Sequence, residues 1–141
     1  MRIPWSVIFE VIEGYTSAQK IHALWRFRPA IERYVSTMSF STSSVARTNS
    51  HPAHPHQKQL RDAYAVRILE LMDETLSDLS VQDQKTWKWR YREYMPLELI
   101  GQFLYDAPKD CQDISGFFRV KALRSLDSIA TKLARMMACD D

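Results

Sequence analysis

The sequence predicts an all-α protein. Apolar residues recur at spacings of three and four over much of the chain, and no useful length alternates between apolar and polar residues. Only 3 of the 141 residues are glycine, which disfavours tight β-hairpins and glycine-rich phosphate loops. With 45% hydrophobic and 26% charged residues, the composition is that of an ordinary globular protein. We therefore expect a helical bundle.

Residues 1–36 are predicted to form a helical N-terminal segment. Pro4 suits the first turn of a helix, because its missing N–H would have no partner there, and Gly14 is expected to end that helix. A second helix is expected from about residue 16 to residue 36. Pro29 lies inside it, so we expect a kink or an interruption at that point.

Residues 37–56 are predicted to form a linker. They are rich in Ser, Thr, Pro and His and show no periodic apolar pattern. Three histidines in this stretch are of a type that binds metal, but structural zinc usually needs a fourth ligand and a rigid frame. We therefore prefer a polar linker and expect no metal and no cofactor. The three histidines are His51, His54 and His56.

Residues 57–141 carry the strongest helical pattern. Ser80 is expected to be an N-cap, with the Asp83 carboxylate reaching back to it, and Pro96 is expected to open a short helix. The expected helices are at about 57–77, 81–94, 96–104 and 114–138, with a loop at 105–113. The last helix is expected to bury Phe118, Ala122, Leu126, Ile129, Leu133 and either Met136 or Met137.

The formal net charge of +2 is unevenly distributed along the chain. Residues 114–138 hold five basic residues against one acidic residue, whereas residues 57–83 hold six acidic against three basic. One interpretation is that these are solvated helix faces, whose Lys and Arg stems cover apolar surface. The other is a basic helix that contacts nucleic acid. The order of a short helix, a turn and a basic helix favours the second, because a helix-turn-helix DNA reader has this arrangement.

Two stretches of the sequence also resemble a known family. The run WKWRYREYMPLELI, residues 87–100, resembles sigma-factor region-4-like helix-turn-helix domains. The run ISGFFR at 114–119, followed by KAL at 121–123 and IA at 129–130, is similar to the recognition helix of phage-encoded late transcription regulators of the ArpU and RinA type. The resemblance covers about residues 57–138. The chain departs from the family pattern at two points. The loop at 105–113 is longer than the turn of a standard helix-turn-helix. The spacing of the matching residues along the recognition helix fits the family pattern only if one residue is dropped.

The candidate DNA contacts lie mainly at the start of the last helix. Ser115 can cap the helix and donate a hydrogen bond to a phosphate, and the alternative is that it only caps the helix. Phe117 can contact a thymine methyl group, and the alternative is that it belongs to the core. Arg119, Lys121 and Arg124 are the expected guanine and phosphate contacts, with Arg119 and Lys121 on different sides of the helix. Backbone contacts are expected from Lys88, Arg90 and Arg92.

The expected function is that of a helical DNA-binding transcription regulator, similar to phage late-gene activators, with double-stranded DNA as its partner. The resemblance also implies a contact with host RNA polymerase. The alternatives are an all-α protein–protein interaction module or homodimer built on the apolar side chains of residues 4–36, and a DNA packaging protein of the small-terminase type. An enzyme is not expected, because His22 is isolated on its helix and has no nucleophile at a motif spacing.

No stretch has the roughly 20 apolar residues that a membrane helix needs, and the N-terminus lacks the features of a signal peptide. The two cysteines, Cys111 and Cys139, lack a CxxC spacing, so a disulfide is not expected. The sequence therefore predicts a protein of the cytoplasm, that of a bacterial host if it is phage-encoded.

Overall fold

The computed structural model describes residues 2–48 and 55–138, with side chains for residues 2–38 and 57–138. Within these ranges the chain is helical and contains no strand, so the all-α prediction is confirmed. The helices are α1 (Trp5–Ile12), α2 (Ala18–Arg26), α3 (Arg28–Thr48), α4 (Pro55–Ser77), α5 (Val81–Tyr91), α6 (Leu97–Leu104) and α7 (Ile114–Ala138).

The first two helices end where the sequence predicts a break. Gly14 follows α1 with a φ of +98°, a left-handed conformation that glycine adopts without steric cost. Ser17 then caps α2, its hydroxyl accepting a hydrogen bond from the Lys20 N–H. Phe27 separates α2 from α3, and Pro29 is the second residue of α3. The interruption expected near this proline is therefore confirmed.

The chain stays helical beyond residue 36, where we expected a linker to begin. Helix α3 continues to Thr48. Extending an existing helix adds one backbone hydrogen bond for each residue that is fixed, so a helix begun by apolar residues can run on into a polar stretch. Thr37 bonds back within the helix, its hydroxyl donating to the Arg33 carbonyl oxygen at 2.8 Å. The side chains of the three linker histidines lie outside the described residues.

Helix α5 begins as expected but ends three residues early. Ser80 caps it by accepting a hydrogen bond from the Asp83 N–H at 3.2 Å. The carboxylate of Asp83 forms an ion pair with Lys132 of α7, at 2.7 Å. Helix α5 ends at Tyr91 because the chain turns at Tyr94, which has a φ of 54° in the left-handed region. This turn directs the chain into α6, for which Pro96 is the residue before the first helical turn.

One side of α7 runs through the hydrophobic core. Its buried residues include every one expected from the sequence, with Met137 rather than Met136 as the last, and Ala130 and Ala134 join them. The same core takes Ile8 from α1 and Leu24 from α2. Helix α7 packs most extensively against α6 and next against α2. The core therefore draws on both ends of the chain, and the division into 1–36, 37–56 and 57–141 stays a prediction.

Polar contacts also tie the N-terminal helices to the rest of the molecule. The Thr16 hydroxyl donates to the Ala134 carbonyl oxygen of α7 at 2.8 Å. Arg28 of α3 pairs with Asp73 of α4 at 2.7 Å. Among the described residues, no helix is long and apolar enough to cross a membrane.

Helix α6 approaches α7 closely at Gly101. A Cβ atom placed on Gly101 would lie 2.2 Å from the carbonyl oxygen of Phe118. Real Cβ atoms essentially never come so close to another atom, and the obstructing atom belongs to the backbone, so only a glycine fits. Gly101 is therefore the residue that sets the distance between α6 and the first half of α7.

Replacing Gly101 with alanine should destabilise the protein. The methyl group forces α6 away from α7, and overpacking of this kind typically costs about 1–3 kcal/mol. The measurement is urea unfolding of Gly101→Ala beside Gln102→Ala, an exposed neighbour on the same helix whose change should stay within about 0.5 kcal/mol. Equal stability of the two variants would contradict the close approach.

The contribution of Tyr34 to the stability of the protein should be lost in strong alkali. Burial, and next the hydrogen bond from its hydroxyl to Asp62 at 2.6 Å, raise the pKa of Tyr34 from 10.0 to about 12. The folded state thus holds this proton more tightly than the unfolded state, so its contribution to the free energy of unfolding is complete below pH 10 and is lost as the pH rises toward 12. The measurement is the free energy of unfolding of the wild type and of Tyr34→Phe between pH 9 and pH 12. If the two free energies change in parallel with pH, the prediction is wrong.

Candidate nucleic-acid interface

The first half of α7 leaves one side uncovered. Arg119, Val120, Leu123 and Arg124 are all exposed there. Successive residues of a helix are rotated by about 100°, which puts Arg119 and Arg124 roughly 140° apart with Val120 and Leu123 between them. The exposed side of α7 thus has an apolar centre with one arginine on each edge. We call it the α7 face, defined by these four residues.

Asp113 caps α7, not Ser115. Helix α7 begins at Ile114, and the Asp113 carboxylate accepts a hydrogen bond from the Gly116 N–H at 3.0 Å. Ser115 lies exposed in the first turn. Because the Asp113 carboxylate already occupies the positive end of the helix dipole, it competes with any phosphate that would approach there. The expectation that Ser115 caps the helix is therefore wrong, and its hydroxyl remains available on the surface.

Lys121 and Arg124 line a shallow groove on one side of the α7 face. Tyr105, Ser125 and Ser128 complete much of its surface, and its volume is about 330 Å³. The ammonium group of Lys121 lies 5.6 Å from the Tyr105 ring centroid and 5.7 Å from that of Phe117. A cation above an aromatic ring is attracted to the ring face, so these rings hold the lysine at the groove.

Phe117 is half-buried rather than fully exposed. Its ring packs edge-on against Phe118, with a centroid distance of 5.5 Å. Phe118 itself is buried, as expected. Phe117 thus combines a packing contact with the support of Lys121, and only its remaining exposed edge is free to meet a ligand.

The positive charges of α7 are not all equally available. Lys132 pairs with Asp83. Among the described residues, Arg119 and Arg124 have neither a hydrogen bond nor an ion pair from their side chains. The first half of α7 therefore keeps its cations unneutralised, while the second half has one of them paired.

The three basic residues at the end of α5 and just after it, Lys88, Arg90 and Arg92, line two different cavities. Lys88 and Arg92 line a cavity of about 250 Å³ together with Trp25, Arg28 and Trp87. Arg28 is already paired with Glu32 and Asp73. The indole N–H of Trp87 is buried with no hydrogen-bond partner among the described residues, and the Trp25 ring lies edge-to-face with the indole, at 5.5 Å between centroids. This cavity shares no lining residue with the groove of Lys121 and Arg124.

Arg90 lies elsewhere, in a cavity of about 320 Å³ between α2, α5, α6 and α7. We call it the Arg26–Arg90 cavity, after the two arginines that line it. Its polar wall also includes Gln19 of α2, and Leu97, Leu123 and Leu126 form its apolar wall. Leu123 also belongs to the α7 face, so this cavity adjoins the Arg119 edge of that face. Sequence inspection missed Arg26 and Gln19, because nothing local indicates that α2 packs on α7.

His22 is not isolated, contrary to what the sequence suggests. One ring nitrogen, Nδ1, is hydrogen-bonded to the Tyr91 hydroxyl, and the other, Nε2, to the Asp127 carboxylate at 2.8 Å. In a neutral imidazole this arrangement assigns the proton to Nε2, so that Nδ1 accepts from Tyr91. Burial, which is the largest cause, raises the pKa of Tyr91, whereas Arg26 and Arg90 lower it. This network joins α2, α5 and α7 at the edge of the cavity.

The eight residues expected to contact DNA therefore fall into three places. Ser115, Phe117, Arg119, Lys121 and Arg124 lie along the first half of α7. Arg90 faces the Arg26–Arg90 cavity, and its Nη1 donates to the Met95 carbonyl oxygen at 3.2 Å. Lys88 and Arg92 lie together in the cavity of about 250 Å³ that Trp87 also lines. The structure thus brings the α7 residues together and places Arg90 beside them, but it puts Lys88 and Arg92 in a different cavity.

The described residues contain no group of three or more His, Cys, Asp or Glu that could hold a metal ion. Cys111 is a half-buried free thiol, and Cys139 lies outside the described residues. No protein-family model, curated protein or solved structure matches this chain.

Removing the Asp113 side chain should shorten or loosen the start of α7. Asp113→Ala loses this side-chain cap and should cost about 1 kcal/mol of unfolding free energy, whereas Asp113→Asn keeps an acceptor and should change it little. Chemical unfolding of the two variants beside the wild type measures this difference. If alanine and asparagine proved equivalent, the carboxylate would not be acting as a cap.

Proposed function

We propose that this protein binds duplex DNA through the α7 face and acts as a transcription regulator in the cytoplasm of a bacterial host. The observation that carries the proposal is the pair of unneutralised arginines, Arg119 and Arg124, at the two edges of an exposed helix. Phosphate contacts supply most of the sequence-independent affinity of such proteins, and they require cations that no acidic side chain already holds.

The shape of the α7 face suits the major groove. That groove is about 12 Å wide and admits one α-helix, with phosphates on both sides. Arginines at both edges of the α7 face can then each reach a different strand, while Val120 and Leu123 at its centre can contact thymine methyl groups. Lys121, held above two aromatic rings, adds a third cation on the Arg124 side.

The order of α6, a loop at 105–113 and α7 supports a helix-turn-helix use of the two helices. Gly101 lets α6 lie close against the first half of α7, as a bracing helix must. The resemblance of residues 57–138 to sigma region-4-like regulators of phage late genes supports the regulatory role and a contact with host RNA polymerase. A homodimer is part of the same proposal, because two-fold symmetric regulators read two half-sites.

A protein–protein interaction module is the second candidate, and an exposed apolar patch favours it. Leu99 and Phe103 are exposed one turn apart on α6, and Phe103 lies 5.3 Å from the half-buried Trp89 ring of α5. Patches of this kind are common at protein interfaces. Under this candidate the cations of α7 stay solvated and duplex DNA is not bound.

Loss of Lys121 and Arg124 should weaken DNA binding and reduce its salt dependence. Each phosphate contact contributes about 0.9 to the slope of log affinity against log salt, so Lys121→Ala with Arg124→Ala should lower the slope by about two and the affinity by roughly 60-fold at 0.1 M salt. The measurement is fluorescence anisotropy of a labelled duplex titrated with protein at several NaCl concentrations.

Lys58→Ala is the control for the loss of a positive charge elsewhere on the surface, because Lys58 is an exposed lysine of α4 that lines none of the three cavities described. It should leave the slope unchanged. A wild-type protein that fails to bind any duplex at low salt, while eluting as a complex with another protein or as an oligomer that Phe103→Ala disrupts, would favour the interaction module instead.

A further inference from the structure

We infer that the Arg26–Arg90 cavity holds one backbone phosphate of the bound DNA, so that the N-terminal helix α2 takes part in DNA binding. This inference rests on the proposed function. It adds a second anchoring point beside the α7 face and assigns a binding role to Arg26, for which the sequence offers no motif.

The two arginines supply the charge that a phosphate needs. Arg26 is exposed in the last turn of α2, and among the described residues its side chain has no hydrogen bond or ion pair. Arg90 uses one guanidinium nitrogen for the Met95 carbonyl oxygen, which leaves its other donors available. Both arginines lower the pKa of Tyr91 by charge, so the field of each reaches the same point of the cavity. Guanidinium groups bind phosphate in a bidentate manner and are well matched to its geometry.

Among the described residues that line the cavity, the acidic one, Asp127, is bonded to His22 and not to either arginine. Asp127 accepts a hydrogen bond from His22 Nε2 at 2.8 Å, and His22 in turn accepts one from Tyr91. Neither arginine is paired with Asp127, and the carboxylate side chain is 63% exposed, so water screens its repulsion of an incoming anion. The cavity therefore keeps two available cations beside a carboxylate that is already engaged.

The apolar wall distinguishes a nucleotide backbone from a free inorganic anion. Leu97, Leu123 and Leu126 supply the apolar part of the cavity lining, and Leu123 is 45% exposed. A deoxyribose presents carbon atoms beside its phosphate, so a sugar–phosphate unit can place its sugar against the leucines and its phosphate against the arginines. Free phosphate would leave the apolar wall uncovered.

The position of the cavity is consistent with one continuous strand. Arg119 and Leu123 lie one turn apart on the same side of α7, roughly 40° apart around the helix. Leu123 also lines the cavity, so a strand that contacts Arg119 can lie over Leu123 and bring a phosphate to Arg90 and Arg26. The groove of Lys121 and Arg124 lies on the other side of the α7 face and contacts the opposite strand.

The test compares single arginine variants on DNA in which one phosphate at a time is replaced by an uncharged methylphosphonate. In wild-type protein, neutralising the phosphate that enters the cavity should weaken binding about eightfold at 0.1 M salt. In Arg26→Ala the unmodified duplex should bind more weakly, by up to about eightfold, with a lower salt slope, and the same methylphosphonate should have a smaller effect than in the wild type, because only Arg90 then faces the phosphate. Arg26 is exposed and unbonded, so this variant should fold normally, which its unfolding midpoint checks.

Arg90→Ala should give the same pattern, and Lys58→Ala should leave both the slope and the methylphosphonate profile as in the wild type. If Arg124→Ala lowers the slope while Arg26→Ala and Arg90→Ala do not, the cavity does not hold a phosphate and the α7 face alone binds DNA. If the wild-type protein binds no duplex, the proposed function itself is wrong, and the two failures are thereby distinguished.

Discussion

The burial of one side of α7 is the constraint on which the rest of the structure depends. Because Phe118, Leu126 and Leu133 are buried along its length, the helix can rotate neither way without exposing apolar side chains to water. Its opposite side is thereby fixed as the surface. In the second half of the helix that surface carries Lys132 paired with Asp83, and in the first half it carries unpaired arginines.

The N-terminal helices also help to hold α7 in this orientation. Helix α2 packs on α7, and the hydrogen bonds of His22 to Tyr91 and Asp127 join three helices at one point. These contacts also bring Arg26 within the cavity that Arg90 lines. A segment that looks independent in the sequence thus shapes the surface beside α7, since its apolar residues belong to the same core.

Local signals were enough to predict most of the helices. Gly14, Ser80, Pro29 and the regular apolar spacing of α7 each act within a few residues, so their consequences are visible in the sequence. The sequence predicts the start of α7 correctly but not its cap, because Asp113 and Ser115 are both good caps and spacing alone does not choose between them. His22 and its partners are 69 and 105 residues apart along the chain, so no local pattern indicates that they meet. The helical path of 37–48 likewise depends on the helix that precedes it.

The net charge is only +2, and the ion pairs show which basic side chains keep their positive charge unneutralised. Acidic side chains neutralise Lys132 and Arg28, which lie away from the α7 face, whereas Arg26, Arg119 and Arg124 keep their charge at or beside it. Counterion release grows with the number of phosphates neutralised, so the affinity for DNA rises when several cations reach phosphates at the same time. Under the proposed function these three arginines supply that affinity together, because the core of α7 fixes the orientation in which the helix presents its own two.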